Sequence, residues 1–163
     1  MRRLPYLAAA VAILGFLGCG GDGLRRVSVQ GKVMAKGVAV GNATVLFLPA
    51  DGTQGEGGIG TTDRDGNFTL TGSRRGDSGV VPGKYRVRVS RFVDRDGTVL
   101  PSDHKQADYP NAVESVPAPY SSPDSPLQVT VPEKGGTVNV EIPVKLVLKG
   151  ALKNNLAFLG GTL

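Results

Sequence analysis

Hydrophobic and polar residues alternate over short stretches of this chain, and turn residues break the pattern every few positions. Val27, Val29 and Val33 alternate with Ser28, Gln30 and Lys32, the two-residue period of a strand with one face buried. Lys36-Gly37 and Gly41-Asn42 punctuate the chain on either side of a short Val38-Ala39-Val40 link. Residues 43–48 are apolar nearly throughout, which predicts a central strand ended by Pro49. A Gly-rich loop at 52–58 leads to a short strand at 58–62, and Asp63-Arg64-Asp65-Gly66 turns the chain into another at 67–71. Pro82-Gly83 opens the clearest strand, 84–92, where Tyr85, Val87 and Val89 alternate with Lys84, Arg86 and Arg88. Strands at 127–131 and 137–148, joined by Glu133-Lys134-Gly135-Gly136, bring the number to seven. Seven short strands separated by turns predict an all-β fold, with two sheets packed face to face.

One long segment escapes the pattern. Residues 93–125 carry five prolines (Pro101, Pro110, Pro117, Pro119 and Pro123) and no period. Loops of this length in compact domains tend to be functional or mobile. The other reading is a proline-stiffened cover that keeps one sheet edge from pairing with neighbours. The residues leave both open.

The N-terminus reads as an address. Met1-Arg2-Arg3 is a short positive region, and residues 4–18 follow without a charge. That run is shorter than the roughly 20 residues a spanning helix needs and fits the apolar region of a signal peptide. Phe16-Leu17-Gly18-Cys19 resembles a bacterial lipobox, in which the cysteine becomes the lipidated first residue of the mature chain. It departs from the common pattern at Phe16, where Leu is usual, and at Leu17, where a small residue is usual. Cys19 is the chain's one cysteine, so no intramolecular disulfide forms, and lipidation accounts for a lone thiol sent to an oxidising compartment. More than one acyl chain holds a protein to a membrane stably. The expected organisation is a signal peptide at 1–18, a lipidated Cys19 with a flexible tether to residue 25, a β-domain at 26–148, and a tail at 149–163. In that tail Leu152, Leu156 and Leu159 stand at helical spacing, but Asn154-Asn155 and Gly160-Gly161 interrupt it.

Composition narrows the classes further. The 163 residues include 24 Gly and 11 Pro, and the hydrophobic share of 40% is too high for a disordered chain. The glycines lack the three-residue period of collagen, and each interior Gly would cost a helix about 1 kcal/mol. The formal charge of +5 includes Arg2 and Arg3 of the expected leader. What remains is unevenly spread. Residues 74–92 hold six bases (Arg74, Arg75, Lys84, Arg86, Arg88, Arg91) against Asp77, whereas 93–126 hold six acids (Asp94, Asp96, Asp103, Asp108, Glu114, Asp124) against Arg95 and Lys105. Lys84, Arg86 and Arg88 should share the solvent face of their strand. One reading is a basic stripe for anionic glycans or lipid headgroups. The preferred reading is that the acidic loop folds over the stripe and largely neutralises it.

Catalytic chemistry finds few candidates. His104 is the single imidazole; with Asp103 and Asp108 it would make at most a weak metal site, so it reads as a solvated loop residue and no metal or cofactor is expected. A Gly-x-Ser-x-Gly elbow is missing, and Ser78 lies in a loop with no local base. Asp63-x-Asp65-Gly66 suggests calcium, but its glycine falls at position 4 rather than 6, and Arg74 stands where an EF-hand has Glu. A turn explains it better. Tyr109 and Tyr120 flank the proline-rich loop; they would either stack on sugar rings or, the preferred reading, pin the loop to the domain. Nucleic acid is not expected, since the chain reads as exported and shows no aromatic-basic platform.

Several local motifs converge on one family. Val29-Gln30-Gly31-Lys32-Val33 followed by Val40-Gly41-Asn42-Ala43-Thr44-Val45-Leu46-Phe47 resembles the opening of carboxypeptidase regulatory-like domains. Thr62-Asp63-Arg64-Asp65-Gly66-Asn67-Phe68-Thr69-Leu70 and Val81-Pro82-Gly83-Lys84-Tyr85-Arg86-Val87 resemble their second and third signatures. Pro119-Tyr120-Ser121-Ser122-Pro123, with Ser125-Pro126-Leu127, is similar to a segment of small lipoproteins of this family from planctomycete-type bacteria, which also carry a Gly-Cys-Gly-Gly anchor as at residues 18–21. The resemblance spans about residues 18–146. It implies a seven-stranded transthyretin-like/Ig-like β-sandwich with a long Pro-rich loop, exported and held at the cell envelope. It implies no activity, because in carboxypeptidases the module sits beside the catalytic domain and lacks the zinc site. The expected protein is therefore not an enzyme but a lipid-anchored envelope module with a structural or interaction role. Its partners would be the membrane, through Cys19, and an envelope protein or polysaccharide. The alternatives are a carbohydrate-binding lipoprotein using Arg86, Arg88, Tyr109 and Tyr120, and an accessory subunit of an exported peptidase or glycosidase. No dimerisation signal is readable.

Overall fold

A computed structural model describes residues 22–74 and 76–146. The expected leader, Cys19 and the tail from residue 149 lie outside the described residues. Within them the chain is all-β, and every regular element is a strand. In chain order the strands are β1 (Val29–Ala35), β2 (Val38–Ala39), β3 (Thr44–Ala50), β4 (Gly58–Thr61), β5 (Asn67–Thr69) and β6 (Thr71–Gly72), then β7 (Gly83–Ser90), β8 (Phe92–Val93), β9 (Val113–Glu114), β10 (Gln128–Val131), β11 (Gly136–Thr137) and β12 (Val140–Ile142).

The seven expected strands correspond to β1, β3, β4, β5, β7, β10 and β12, but several break where the alternation continues. The stretch expected at 67–71 changes sheets in its middle: β5 pairs with β1, whereas β6 pairs with β4. Leu70 makes the crossing, buried, with its N–H donated to the Val29 carbonyl at 2.8 Å. The stretch expected from 137 divides into β11 and β12. Pro49 does not end its strand, because β3 continues to Ala50. The last β3–β4 pair is Phe47 with Gly58, so at Pro49 that side of β3 has no strand to bond.

Two five-stranded sheets result, with a two-stranded β8–β9 ribbon beside them. In the first, β1 is central. It runs parallel to β11 and β12 on one side and antiparallel to β5 and β2 on the other. The two parallel partners keep one register, Val29 opposite Gly136 and Val33 opposite Val140. Between them the strands approach closely at Gly31, where a Cβ would sit 1.8 Å from the Val138 carbonyl oxygen. There the Lys32 N–H donates instead to the Asn139 side-chain oxygen, at 3.1 Å. A side-chain amide thus continues the ladder across a gap in the backbone pairing.

The second sheet is antiparallel in the order β10-β7-β3-β4-β6. Its spine is the seven-residue pairing of β3 with β7, from Thr44 opposite Ser90 to Ala50 opposite Lys84. Both sheets feed one core. Val29, Val33, Phe68, Val140 and Ile142 come from the first, and Val45, Phe47, Tyr85, Val87 and Val89 from the second. Phe47 meets Phe68 of the first sheet at 6.0 Å and Tyr85 of its own sheet at 5.7 Å, both tilted. Each fully buried valine or phenylalanine contributes about 1.5–3 kcal/mol. The Tyr85 hydroxyl donates to the Val81 carbonyl, which satisfies the polar end of a side chain buried among apolar neighbours. Buried Thr62 accepts from the Ala43 N–H at 2.8 Å and donates to the Val40 carbonyl at 2.7 Å, tying the end of β4 to the start of β3.

From Val113 onward the proline-rich segment is an edge cover. β10 pairs with β7 only from Gly83 to Arg86. Beyond that, the Val87 and Val89 N–H groups donate to the carbonyls of Leu127 and Tyr120 at 2.8 and 3.1 Å, and the Ser115 N–H donates to the Arg91 carbonyl at 2.8 Å. With β9 on β8, residues 113–131 form an interrupted partner along the whole of β7 and β8. Of the two readings left open above, residues 113–125 fit the second.

The close approach at Gly31 generates a first prediction. Gly31→Ala should destabilise the domain by about 1–3 kcal/mol or more, as overpacking does, and lower the urea midpoint accordingly. Gly52→Asn, at a positive φ of 80° in open space, should change it little.

Candidate functional site

The stripe on β7 lies where the alternation places it. Tyr85, Val87 and Val89 are buried, and Lys84, Arg86 and Arg88 face outward. Each base has a partner, but the acidic loop supplies just one carboxylate among them. Lys84 meets Asp51, at the end of β3, at 3.2 Å. Arg86 meets Asp124 at 3.7 Å, with the carboxylate almost fully exposed. The Arg88 Nε donates to the Ser121 carbonyl at 2.8 Å. The expected neutralisation by the acidic loop is therefore thin, because that loop runs along the edge of the sheet rather than over its face. Other loop acids serve local turns: Asp96 accepts from the Thr98 N–H and hydroxyl, which holds its carboxyl below the usual range.

The two tyrosines do not form one platform. Tyr120 is half-buried against the core, and its carbonyl accepts the Val89 N–H, so it pins the edge cover beside Arg88. Tyr109 packs edge-on to His104, with ring centroids 6.0 Å apart, and His104 packs on Phe92 at 4.9 Å. His104 is fixed further by its Nδ1, 2.9 Å from the Pro101 carbonyl. Its ring fills the space between two aromatic neighbours. Among the described residues, no three His, Cys, Asp or Glu side chains gather as metal ligands.

The Asp63 carboxylate is occupied by its own turn. It accepts from the N–H groups of Asp65 and Asn67, both at 2.9 Å, and from the Asn67 side-chain amide. Those hydrogen bonds, led by the Asn67 side chain, hold its carboxyl below the usual value. The acceptors a cation would need are already used.

An open cleft stands elsewhere, on the outward face of the first sheet, with a volume of about 740 Å³. Gln30 of β1 lies opposite Thr69 of β5 and Thr137 of β11, and Lys32 lies opposite Asn67. Asn139, which bonds the Lys32 backbone, stands beside them. Three adjacent strands therefore present amides and hydroxyls on one surface, with Asp63 at its rim. This surface offers hydrogen-bond donors and acceptors in quantity, one ammonium, and no nucleophile paired with a base. Sequence reasoning missed it. Gln30 and Lys32 were visible as the outward half of an alternation, but which strands lie beside them was not.

The pinning role of Tyr120 is testable. Tyr120→Ala should cost about 1–3 kcal/mol, below the value for a fully buried aromatic. It should also open residues 117–126 to limited proteolysis and speed amide exchange at Val89. Tyr109→Ala should leave that exchange unchanged.

No helix of the described residues is long and apolar enough to cross a membrane. Compared with protein-family models, with curated proteins and with solved structures, the chain matches none.

Proposed function

We propose that this chain is a non-catalytic, lipid-anchored module of the cell envelope, which binds a hydroxyl-rich polymer such as an envelope polysaccharide on its first sheet. The observation that carries the reading is the open cleft of about 740 Å³, whose lining is mostly amide and hydroxyl side chains on three neighbouring strands. Neutral sugars are recognised by such groups, and a wide, shallow face suits a polymer better than a small metabolite. Lys32 adds a single charge, and Asp63 is engaged by its own turn. The envelope location rests on the leader-like residues 1–18 and on Cys19 in its lipobox-like setting. The likeness to carboxypeptidase regulatory-like domains supports a binding or scaffolding role without chemistry of its own. The carbohydrate reading moves away from Arg86, Arg88, Tyr109 and Tyr120, because Tyr109 and Tyr120 pack against protein and each arginine has a partner.

Two outcomes are expected. Globomycin, or Cys19→Ala, should leave an unprocessed precursor; normal maturation under the drug would remove the anchor from the proposal. In affinity electrophoresis through neutral polysaccharides, the protein should be retarded by at least one of them. Gln30→Ala combined with Thr137→Ala should abolish that retardation while the urea midpoint stays unchanged, and Arg86→Glu with Arg88→Glu should not affect it. If the cleft pair migrates like the parent in every polysaccharide, the site is wrong.

A further inference from the structure

A second cleft, of about 310 Å³, opens at the far end of β1, where Ala35, Val38, Val40 and Leu146 supply apolar walls. Val38 is 65% exposed, unusual for a valine with an apolar neighbourhood at hand. The charged groups lining this cleft are Arg91 and Lys145. Arg91 is only 9% exposed. Its Nε donates to the Ser115 hydroxyl at 2.9 Å, and that hydroxyl donates back to the Arg91 carbonyl at 2.8 Å, so the side chain is held in place.

What Arg91 lacks is a carboxylate. The chain has 14 Asp and Glu residues, all within the described residues, and none forms an ion pair within 4.0 Å of Arg91 or Lys145. Glu114 is nearby, but its oxygens accept from the Arg91 and Val116 N–H groups and from the Ser90 hydroxyl. A guanidinium removed from water with no carboxylate bonded to it is costly, and it pairs strongly with one that reaches it in the same dry setting. The cleft sits at the lower end of the roughly 300–1,000 Å³ typical of small-molecule sites.

We propose that this cleft binds a short aliphatic carboxylate, its head between Arg91 and Lys145 and its alkyl chain along Val38, Val40 and Leu146. The guanidinium supplies a forked pair of donors matched to the two carboxylate oxygens, and the ammonium adds a second positive charge at the rim. The apolar walls would reject a free inorganic anion in favour of one with a hydrocarbon tail. This site is separate from the polar cleft, so either can fail without the other.

The test is a titration of the full chain with sodium hexanoate, followed by NMR shifts of the Ala35, Val38 and Val40 methyl groups. Saturable shifts with a dissociation constant of about 1 mM or tighter are expected, with far weaker shifts from hexanol and from acetate. Lys145→Glu, at an exposed position, should weaken hexanoate about tenfold and leave the urea midpoint unchanged. Val38→Glu should do the same by placing a negative charge on the wall. Equal binding of hexanol and hexanoate would overturn the proposal, as would full hexanoate affinity in Lys145→Glu, or no saturable shift at all.

Discussion

The pairing of β1 with the segment at 136–142 is the constraint on which the rest of the molecule depends. β1 supplies three of the buried core side chains, and it is bonded on both flanks. Its parallel partners lie about a hundred residues further along, so the first sheet closes only when nearly the whole domain has been laid down. Non-local pairing of this kind carries the cost of loop closure before any contact offsets it. Gly31 and Asn139 make the pairing possible at its tightest point. The one removes a side chain that would strike the Val138 carbonyl, and the other supplies an acceptor where the backbone ladder lapses.

The second sheet solves a different problem. β7 is the longest strand, and its outer edge would be an exposed row of amides and carbonyls. Residues 113–131 cover it in pieces: a two-residue strand, single hydrogen bonds at Ser115, Tyr120 and Leu127, then β10. The prolines fall between those pieces, where no ladder bond is asked of them. A segment without periodicity thus does the work of a strand while offering little to a neighbouring chain. The loop acids are drawn to its turns and its buried joints, Glu114 above all, so among them only Asp124 pairs with a base of β7.

Alternation carried much of this architecture. Tyr85, Val87 and Val89 face inward, and Lys84, Arg86 and Arg88 outward, because period-two patterning is a local property that any half-buried strand must obey. Pairing is not local, and there the reading from residues alone stopped. It placed Gln30 on the outward face of its strand and Thr69 and Thr137 in separate strands, yet could not bring them to one surface. It likewise missed the change of sheet at Leu70, since an apolar residue within an alternating run looks the same whether the chain stays or crosses. Arg91 was counted with the six bases of residues 74–92, but burial beside Ser115 sets it apart.

The direction of β1 relative to β12 has a mechanical consequence. The domain is entered near Val29 and left near Ile142, and because these strands run parallel, entry and exit lie at opposite ends of their shared ladder. Tension applied between residues 22 and 146 would slide β1 and β12 past each other lengthwise. Their hydrogen bonds would then bear the force together, in shear, instead of parting one by one as in a hairpin pulled from its open end. A fold with this geometry resists extension between its two ends better than a hairpin of the same few bonds.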